Sequence, residues 1–316
     1  MIMVLRKLVH KKEERMIYAS LIILAANSGG AFSPIGDVTT IMLWIKGMIT
    51  TGGVIREIIL PSLISVVVPA LILQYRLKGH LEKPETATTG DALYFSKTER
   101  NIVFFLGVGG LMFVPVFRFL TGLPPFMGIL LVLGLLWGTT EIFFRNKPVD
   151  GTMKRRVEML LSRIDMTTIL FFLGILMAVT TLQETGVLTA FGRTLNDVSG
   201  GNHYLVTGVI GAVSSIVDNV PLVAGCMGMY DIATPAAVAA NPALVDFAVD
   251  GLFWQLLAYC AGVGGSMLII GSAAGVVVMG LEKITFGWYM KNITWIAATG
   301  YVAGILCYWL QKAIGF

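Results

Sequence analysis

Long apolar runs constrain this chain more than any other feature of its sequence. Each run approaches or exceeds the roughly 20 residues that a helix needs to cross the ~30 Å hydrocarbon core of a bilayer. The runs are Met16–Trp44, which polar residues interrupt, Ile55–Tyr75, Ile102–Leu120, Phe126–Phe144, Met166–Leu182 and Tyr289–Ala313. Two further segments, Tyr204–Tyr230 and Gly251–Leu281, have polar residues at their centres. Because lipid offers the backbone no hydrogen bonds, such runs predict an all-α polytopic membrane protein.

The composition argues against an ordinary soluble domain. Of the 316 residues, 56% are hydrophobic and only 13% are charged, which is too little charge for a fully water-exposed surface. Cys226, Cys260 and Cys307 all lie in apolar runs and predict neither a disulfide framework nor a metal site. We therefore expect the lipid bilayer as the surroundings, and neither a cofactor nor a nucleic-acid partner.

The basic residues predict the orientation in the membrane, because cytoplasmic loops are enriched in lysine and arginine. Most of the 23 basic residues fall in three stretches, Met1–Arg15, Arg76–Arg100 and Arg145–Arg163. One crossing per apolar run brings these stretches to the same side, which we assign as cytoplasmic. Residues 145–164 then form an interfacial segment on that side, and the aspartate-containing stretch Asp231–Asp250 falls outside. The predicted location is the cytoplasmic or inner membrane of a cell.

The break in the first apolar run has a second copy later in the chain. The stretch "NSGGAFSPIGD" aligns with "GVGGSMLIIGS" at a constant offset, which pairs Gly29 with Gly264, Gly30 with Gly265, Ile35 with Ile270, Gly36 with Gly271 and Asp37 with Ser272. In each copy a helix is expected to stop at paired glycines and to resume after a short link. In the first copy, Ser33 is expected to cap the resumed helix and Pro34 to be its first residue. Copies that cross in opposite directions predict an inverted-repeat secondary transporter with broken helices.

A second stretch, "SSIVDNVPLVAGCMGMY", also places polar residues in the middle of a long apolar segment. Asp218 and Asn219, followed by a proline, predict the tip of a re-entrant hairpin. The first-half equivalent of this motif falls before residue 1, so we expect the chain to lack the N-terminal part of its family. The predicted organisation is residues 1–144 as the remainder of the first repeat with the membrane helices that follow, and residues 165–316 as the second repeat.

Polar groups at these breaks are the candidate cation ligands, since Na⁺ prefers oxygen atoms and intramembrane acids usually mark ion paths. The candidate ligands are Asp37, Asp218, Asn219, Ser33, Thr39, Thr40, Ser266 and Ser272. The alternative for Asp37 is a packing hydrogen bond between helices, and the hydroxyls can instead bond to their own backbone. A carboxylate that binds Na⁺ and H⁺ in turn would give exchange. The spacing does not distinguish Na⁺ from Li⁺.

Three motifs together, "NSGGAFSPIGDVTT", "TILFFLGILMAV" and "SSIVDNVPLVAGCMGMY", closely resemble those of the NhaD-type sodium/proton antiporters of the ion transporter superfamily. The resemblance implies exchange of cytoplasmic Na⁺ (or Li⁺) for external H⁺, and a homodimer. It implies that Asp37 lies on the first broken helix, that Asp218 and Asn219 lie at a hairpin tip, and that Gly264–Ser272 lies on the second broken helix.

Two other functions fit parts of the pattern. An anion or metalloid carrier on the same scaffold is disfavoured, because two acidic site residues would repel an anion. The pairs Gly36–Asp37 and Tyr230–Asp231 superficially match intramembrane aspartyl proteases, but here they occur in the reverse order and Tyr230 is expected near a membrane surface. We therefore expect a transporter and not an enzyme.

Overall fold

The computed structural model describes residues 2–9, 11–75, 77, 96–145 and 166–315. Within them the regular elements are helices: α1 Ile2–Leu8, α2 Lys12–Ala31, α3 Val38–Ile45, α4 Thr51–Gln74, α5 Lys97–Thr121, α6 Pro125–Arg145, α7 Met166–Glu184, α8 Val187–Ser199, α9 His203–Val213, α10 Asn219–Met229, α11 Pro235–Ala240, the 3-10 helix Pro242–Phe247, α12 Leu252–Gly264, α13 Ala273–Glu282, α14 Phe286–Asn292 and α15 Thr294–Ile314. The all-α membrane architecture predicted from the sequence is confirmed. Most of the predicted interfacial segment, residues 146–164, lies outside the described residues.

Within the described residues, three helices are long and apolar enough to cross a bilayer. They are α4, α5 and α6, and they coincide with three of the predicted runs. The predicted span Tyr289–Ala313 differs, because α14 and α15 meet at an angle of 55° beside Ile293. Four shorter apolar helices, α9, α10, α12 and α13, come from the two segments with polar centres.

The chain divides into two compact units, Met1–Lys83 with Gly174–Phe316, and Pro84–Leu173. In the second unit, α5 packs on α6. Gly110 of α5 faces Val132 of α6, and a Cβ at Gly110 would collide with that valine side chain. Small residues at such positions allow membrane helices to approach closely.

The core of the first unit is α12, which is buried from Phe253 to Gly264. A helix that is apolar on all sides is expected in the interior of a bundle, and α12 contacts α2, α4, α9 and α15. Around it, α15 packs closely along α4, with Gly300 against the Ser65 carbonyl and Gly304 against the Pro61 carbonyl. Gly304 also faces the Tyr259 side chain of α12, so α4, α12 and α15 pack together.

An ion-pair cluster ties the far end of α13 to the start of the chain. The Glu282 carboxylate, whose side chain is fully buried, accepts hydrogen bonds from Arg6 (2.7 Å) and Arg15 (2.6 Å). A buried carboxylate is costly unless it is paired in this way. The cluster fixes α13 against α1 and α2, and α2 is the helix that leads into the first break.

Candidate functional site

The first break lies between α2 and α3. Helix α2 ends at Ala31, residues 32–37 form a link, and α3 begins at Val38 with Asp37 as its N-cap. The expectation that Ser33 caps the resumed helix and that Pro34 opens it was wrong, because both residues lie within the link. Asp37 forms the cap instead: its Oδ1 accepts from the Val38 N–H at 2.8 Å, and the Thr40 hydroxyl oxygen accepts from the Asp37 backbone N–H at 3.2 Å. Aspartate is among the residues that best cap helices.

The second oxygen of the Asp37 carboxylate accepts hydrogen bonds from two further side chains. The Thr39 hydroxyl donates to Asp37 Oδ2 at 2.7 Å, and the side-chain amide of Asn219 donates to the same atom at 3.0 Å. A Cβ at Gly262 of α12 would lie 3.8 Å from this oxygen, so a glycine borders the carboxylate on that side. The half-buried carboxylate thus lies where the starts of α3 and α10 meet α12.

The second break, between α12 and α13, repeats the backbone of the first. Ser272 caps α13 with φ −148° and ψ 150°, close to the φ −139° and ψ 156° of Asp37. The Gly36 N–H donates to the Ser33 carbonyl at 3.0 Å, and the equivalent Gly271 N–H donates to the Leu268 carbonyl at 3.1 Å. The correspondence continues to the next helix at the same offset, because Thr50 caps α4 and Thr285 caps α14 in the same way. The repeat detected in the sequence is therefore also a repeat of local structure.

Glycine is required at both breaks for the same steric reason. A Cβ at Gly30 would lie 2.9 Å from the Gly36 carbonyl oxygen, and a Cβ at Gly265 would lie 2.5 Å from the Gly271 carbonyl oxygen. In each copy the link folds back on the end of the preceding helix, which leaves no room for a side chain. Gly30 and Gly265, the second glycine of each pair, are therefore required by the fold of the link.

The connector between α9 and α10, residues 214–218, lies between the two breaks. On one side it meets the second link, where a Cβ at Gly271 would lie 2.6 Å from the Ser215 carbonyl oxygen. On the other side it leads into Asn219, which reaches Asp37. Asp218 caps α10 by accepting from the Val220 N–H at 3.0 Å.

Asn27 is a polar residue at the breaks that the analysis of the sequence did not select. Its amide donates to the Ser266 hydroxyl at 2.9 Å, which joins the last turn of α2 to the first turn of the second link. The Ser266 carbonyl accepts from the Tyr289 hydroxyl at 2.8 Å. The only signal in the sequence was the position of Asn27 two residues before the first paired glycines.

The predicted ligands thus fall into groups. Asp37, Thr39 and Asn219 meet at one carboxylate oxygen. The side chains of Thr40, Asp218 and Ser272 bond to the backbone at helix starts, Ser266 bonds to Asn27, and Ser33 lies half-buried in the first link. Carboxylate, amide and hydroxyl oxygens beside freed backbone carbonyls form a donor set that suits a hard cation.

Comparison with known proteins identifies the family. The CitMHS family model, described as "Citrate transporter", matches residues 1–249, a stretch that contains Asp37 and Asn219. The chain belongs to the CitMHS family. The match covers the first break and the connector of this CitMHS protein, and it ends before the second break.

Relatives of this CitMHS protein have more specific names. "Sodium/proton antiporter 1" and "Sodium/proton antiporter 2" of Arabidopsis thaliana are each 44% identical over 98% of the chain, which covers 51% and 70% of their own lengths. "Na(+)/H(+) antiporter NhaD" of Halomonas elongata is 30% identical over 93% of the chain, and 59% of its length is covered. The chain thus spans about half to 70% of these relatives. No solved structure matches it.

Proposed function

We propose that this protein exchanges cytoplasmic Na⁺, or Li⁺, for external H⁺. The observation that carries the proposal is the Asp37 carboxylate at the first break, with the Thr39 hydroxyl and the Asn219 amide on one of its oxygens. An acid at a broken membrane helix is the kind of group that binds transported cations and protons. The names of the relatives, sodium/proton antiporters at 44% identity, agree with this chemistry.

The exchange follows from one carboxylate that holds either ion. When Na⁺ binds, the Asp37 carboxylate and the Thr39 hydroxyl oxygen are its ligands, and rotation of the Asn219 amide by half a turn presents its oxygen in place of its nitrogen. When Na⁺ leaves, a proton on Asp37 restores the same net charge at the site. Because a charged carboxylate within the membrane is costly, the site carries Na⁺ or H⁺ in each crossing.

The inverted relation of the two breaks is part of this proposal. Support comes from the constant offset and from the matching backbone around Asp37 and Ser272. Equivalent half-helices that enter from opposite sides would bring both links to the middle of the bilayer, as in other secondary transporters. The hairpin tip at residues 218–219, the cytoplasmic or inner-membrane location and the homodimer also belong to the proposal.

Transport of a citrate-like anion is the second candidate, because the family description names a citrate transporter. A tricarboxylate would meet the Asp37 carboxylate, and like charges repel. A citrate carrier would need basic groups at the breaks, whereas the contacts of the Asp37 carboxylate come from a hydroxyl, a backbone N–H and an amide. The geometry therefore favours the cation.

Everted membrane vesicles that contain the protein test the exchange. A proton gradient is formed first, a pH-sensitive dye reports it, and NaCl is then added. We expect Na⁺ and Li⁺ to dissipate the gradient, while choline chloride and potassium citrate leave it unchanged. A proton gradient that collapses with citrate alone would support the anion carrier. A gradient that stays unchanged after Na⁺ and Li⁺ are added would refute the exchange.

A further inference from the structure

The Tyr289 hydroxyl donates a hydrogen bond to the Ser266 backbone carbonyl at the second break. A break in a helix leaves backbone carbonyls without their helical partners, and in a membrane protein these must be satisfied within the protein. The Ser266 carbonyl lies two residues beyond the end of α12, and it accepts from the Tyr289 hydroxyl at 2.8 Å. Both residues are buried, with Tyr289 0% and Ser266 1% exposed. This hydrogen bond is therefore formed away from competing water.

The same serine connects the two breaks. Its hydroxyl accepts from the Asn27 amide at 2.9 Å, and Asn27 lies near the end of α2, five residues before the first link begins. A change in the position of the Ser266 backbone would thus move the hydroxyl that Asn27 meets. Tyr289 acts on the contact between the breaks without touching the first break itself.

This arrangement occurs in only one of the two copies. At the offset that relates the breaks, Ala31 stands in the first copy where the second has Ser266, and Val54 stands where the second has Tyr289. Neither has a hydroxyl, so the first copy lacks the side chains for the same hydrogen bonds. Of the two links, the second is therefore the one whose backbone accepts a hydrogen bond from a tyrosine of another helix.

We propose that Tyr289 is a positioning residue of the cation site. Its hydroxyl fixes the Ser266 backbone, so that the Ser266 hydroxyl and carbonyl stay next to Asn27 on the second-break side of the site. This inference rests on the proposed Na⁺/H⁺ exchange. It differs from a purely structural role, in which Tyr289 only fills the apolar cluster that it shares with Met16 and Ile23.

The Tyr289→Phe variant separates the two roles, because it removes the hydroxyl and keeps the ring that packs in the cluster. We expect the apparent KM for Na⁺ of the variant in proteoliposomes to rise about 3- to 10-fold, the effect of one lost hydrogen bond. The maximal rate is expected to stay within about twofold, since a positioning residue holds a binding group and takes no part in proton transfer. Tyr259→Phe is the matched control, because the buried Tyr259 hydroxyl donates to the Tyr301 carbonyl of α15 and not to a residue of either link.

A double-mutant cycle with Asn27→Ala adds a second readout. Tyr289 and Asn27 meet the same serine, so we expect their effects on KM to be non-additive, whereas independent sites add. An unchanged or lowered KM in Tyr289→Phe, an equal rise in Tyr259→Phe, or full additivity with Asn27→Ala would overturn the inference. If the unaltered protein shows no Na⁺-dependent exchange, the proposed function fails instead, so the two failures are distinguishable.

Discussion

The Asp37→Asn variant is expected to lose Na⁺-driven proton exchange, with the apparent Na⁺ affinity lowered at least about 100-fold, or about 3 kcal/mol, the upper range for the loss of an interaction with a charged group. Asparagine has nearly the same shape as aspartate and caps helices equally well. The start of α3 should therefore persist, while the negative charge that binds Na⁺ or H⁺ is gone. Dose–response curves for Na⁺ in everted vesicles measure the effect.

A matched control is Asp231→Asn, which removes an exposed aspartate remote in sequence from both links. It is expected to retain the affinity of the unaltered protein. If Asp37→Asn also kept that affinity while it folded normally, the carboxylate would only be a helix cap. The packing interpretation of Asp37 would then replace the cation site.

The Gly36→Ala variant is expected to lower the free energy of unfolding by about 2–3 kcal/mol, near the upper range for overpacking. A Cβ at Gly36 would lie 2.7 Å from the Gly30 Cα and 2.9 Å from its carbonyl carbon. These neighbours are backbone atoms, which cannot move aside as the end of a flexible side chain can. The link would have to open, and the Asp37 cap with it.

Gly29→Ala is the control for the glycine prediction, because Gly29 is helical and a Cβ there would meet nothing within 4 Å. Alanine favours a helix by up to about 1 kcal/mol over glycine, so this variant should be as stable as the unaltered protein or more so. Thermal unfolding of the purified protein in detergent compares the two. Equal melting temperatures for Gly29→Ala and Gly36→Ala would contradict the close approach of the link to α2.

Much of the fold was predictable because it is determined by short stretches of sequence. Apolar runs of the required length gave α4, α5 and α6, and the offset repeat gave two breaks with the same backbone. The start of α3 was wrong by four residues, since Ser33–Pro34 and Asp37–Val38 are both good cap sequences and tertiary contacts decide between them. No proline or glycine adjoins the bend beside Ile293, and the polar pair Lys291–Asn292 directly before it is also typical of a helix end at the membrane surface.

The candidate site was predictable only in part. Asp37 and Asn219 stood out because acids and amides are rare in apolar segments, but their contact joins positions 182 residues apart. Asn27 and Tyr289 were missed, because a single polar or aromatic residue in a membrane helix is common and only its distant partner makes it notable. Nothing in the sequence around Asn27 indicates that it pairs with Ser266, 239 residues away.

The structure also changes the meaning of the difference between the copies. In the sequence, Asp37 in one copy and Ser272 in the other suggest an asymmetry of charge. In the structure both side chains cap a helix, since each accepts a hydrogen bond from a backbone N–H at the start of the resumed helix. Asp37 has a second carboxylate oxygen left for Thr39 and Asn219, and this additional oxygen is what makes the first copy the candidate ion-binding copy.

The apparent Na⁺ affinity measured as a function of pH tests the central claim most directly. If Na⁺ and H⁺ compete for one carboxylate, binding of each weakens binding of the other by the same factor. The apparent dissociation constant for Na⁺ in the unaltered protein should then rise as the pH falls, by up to about tenfold per pH unit for one displaced proton. A Na⁺ affinity that stays constant across the pH range in which the protein is active and folded would contradict a shared site at Asp37.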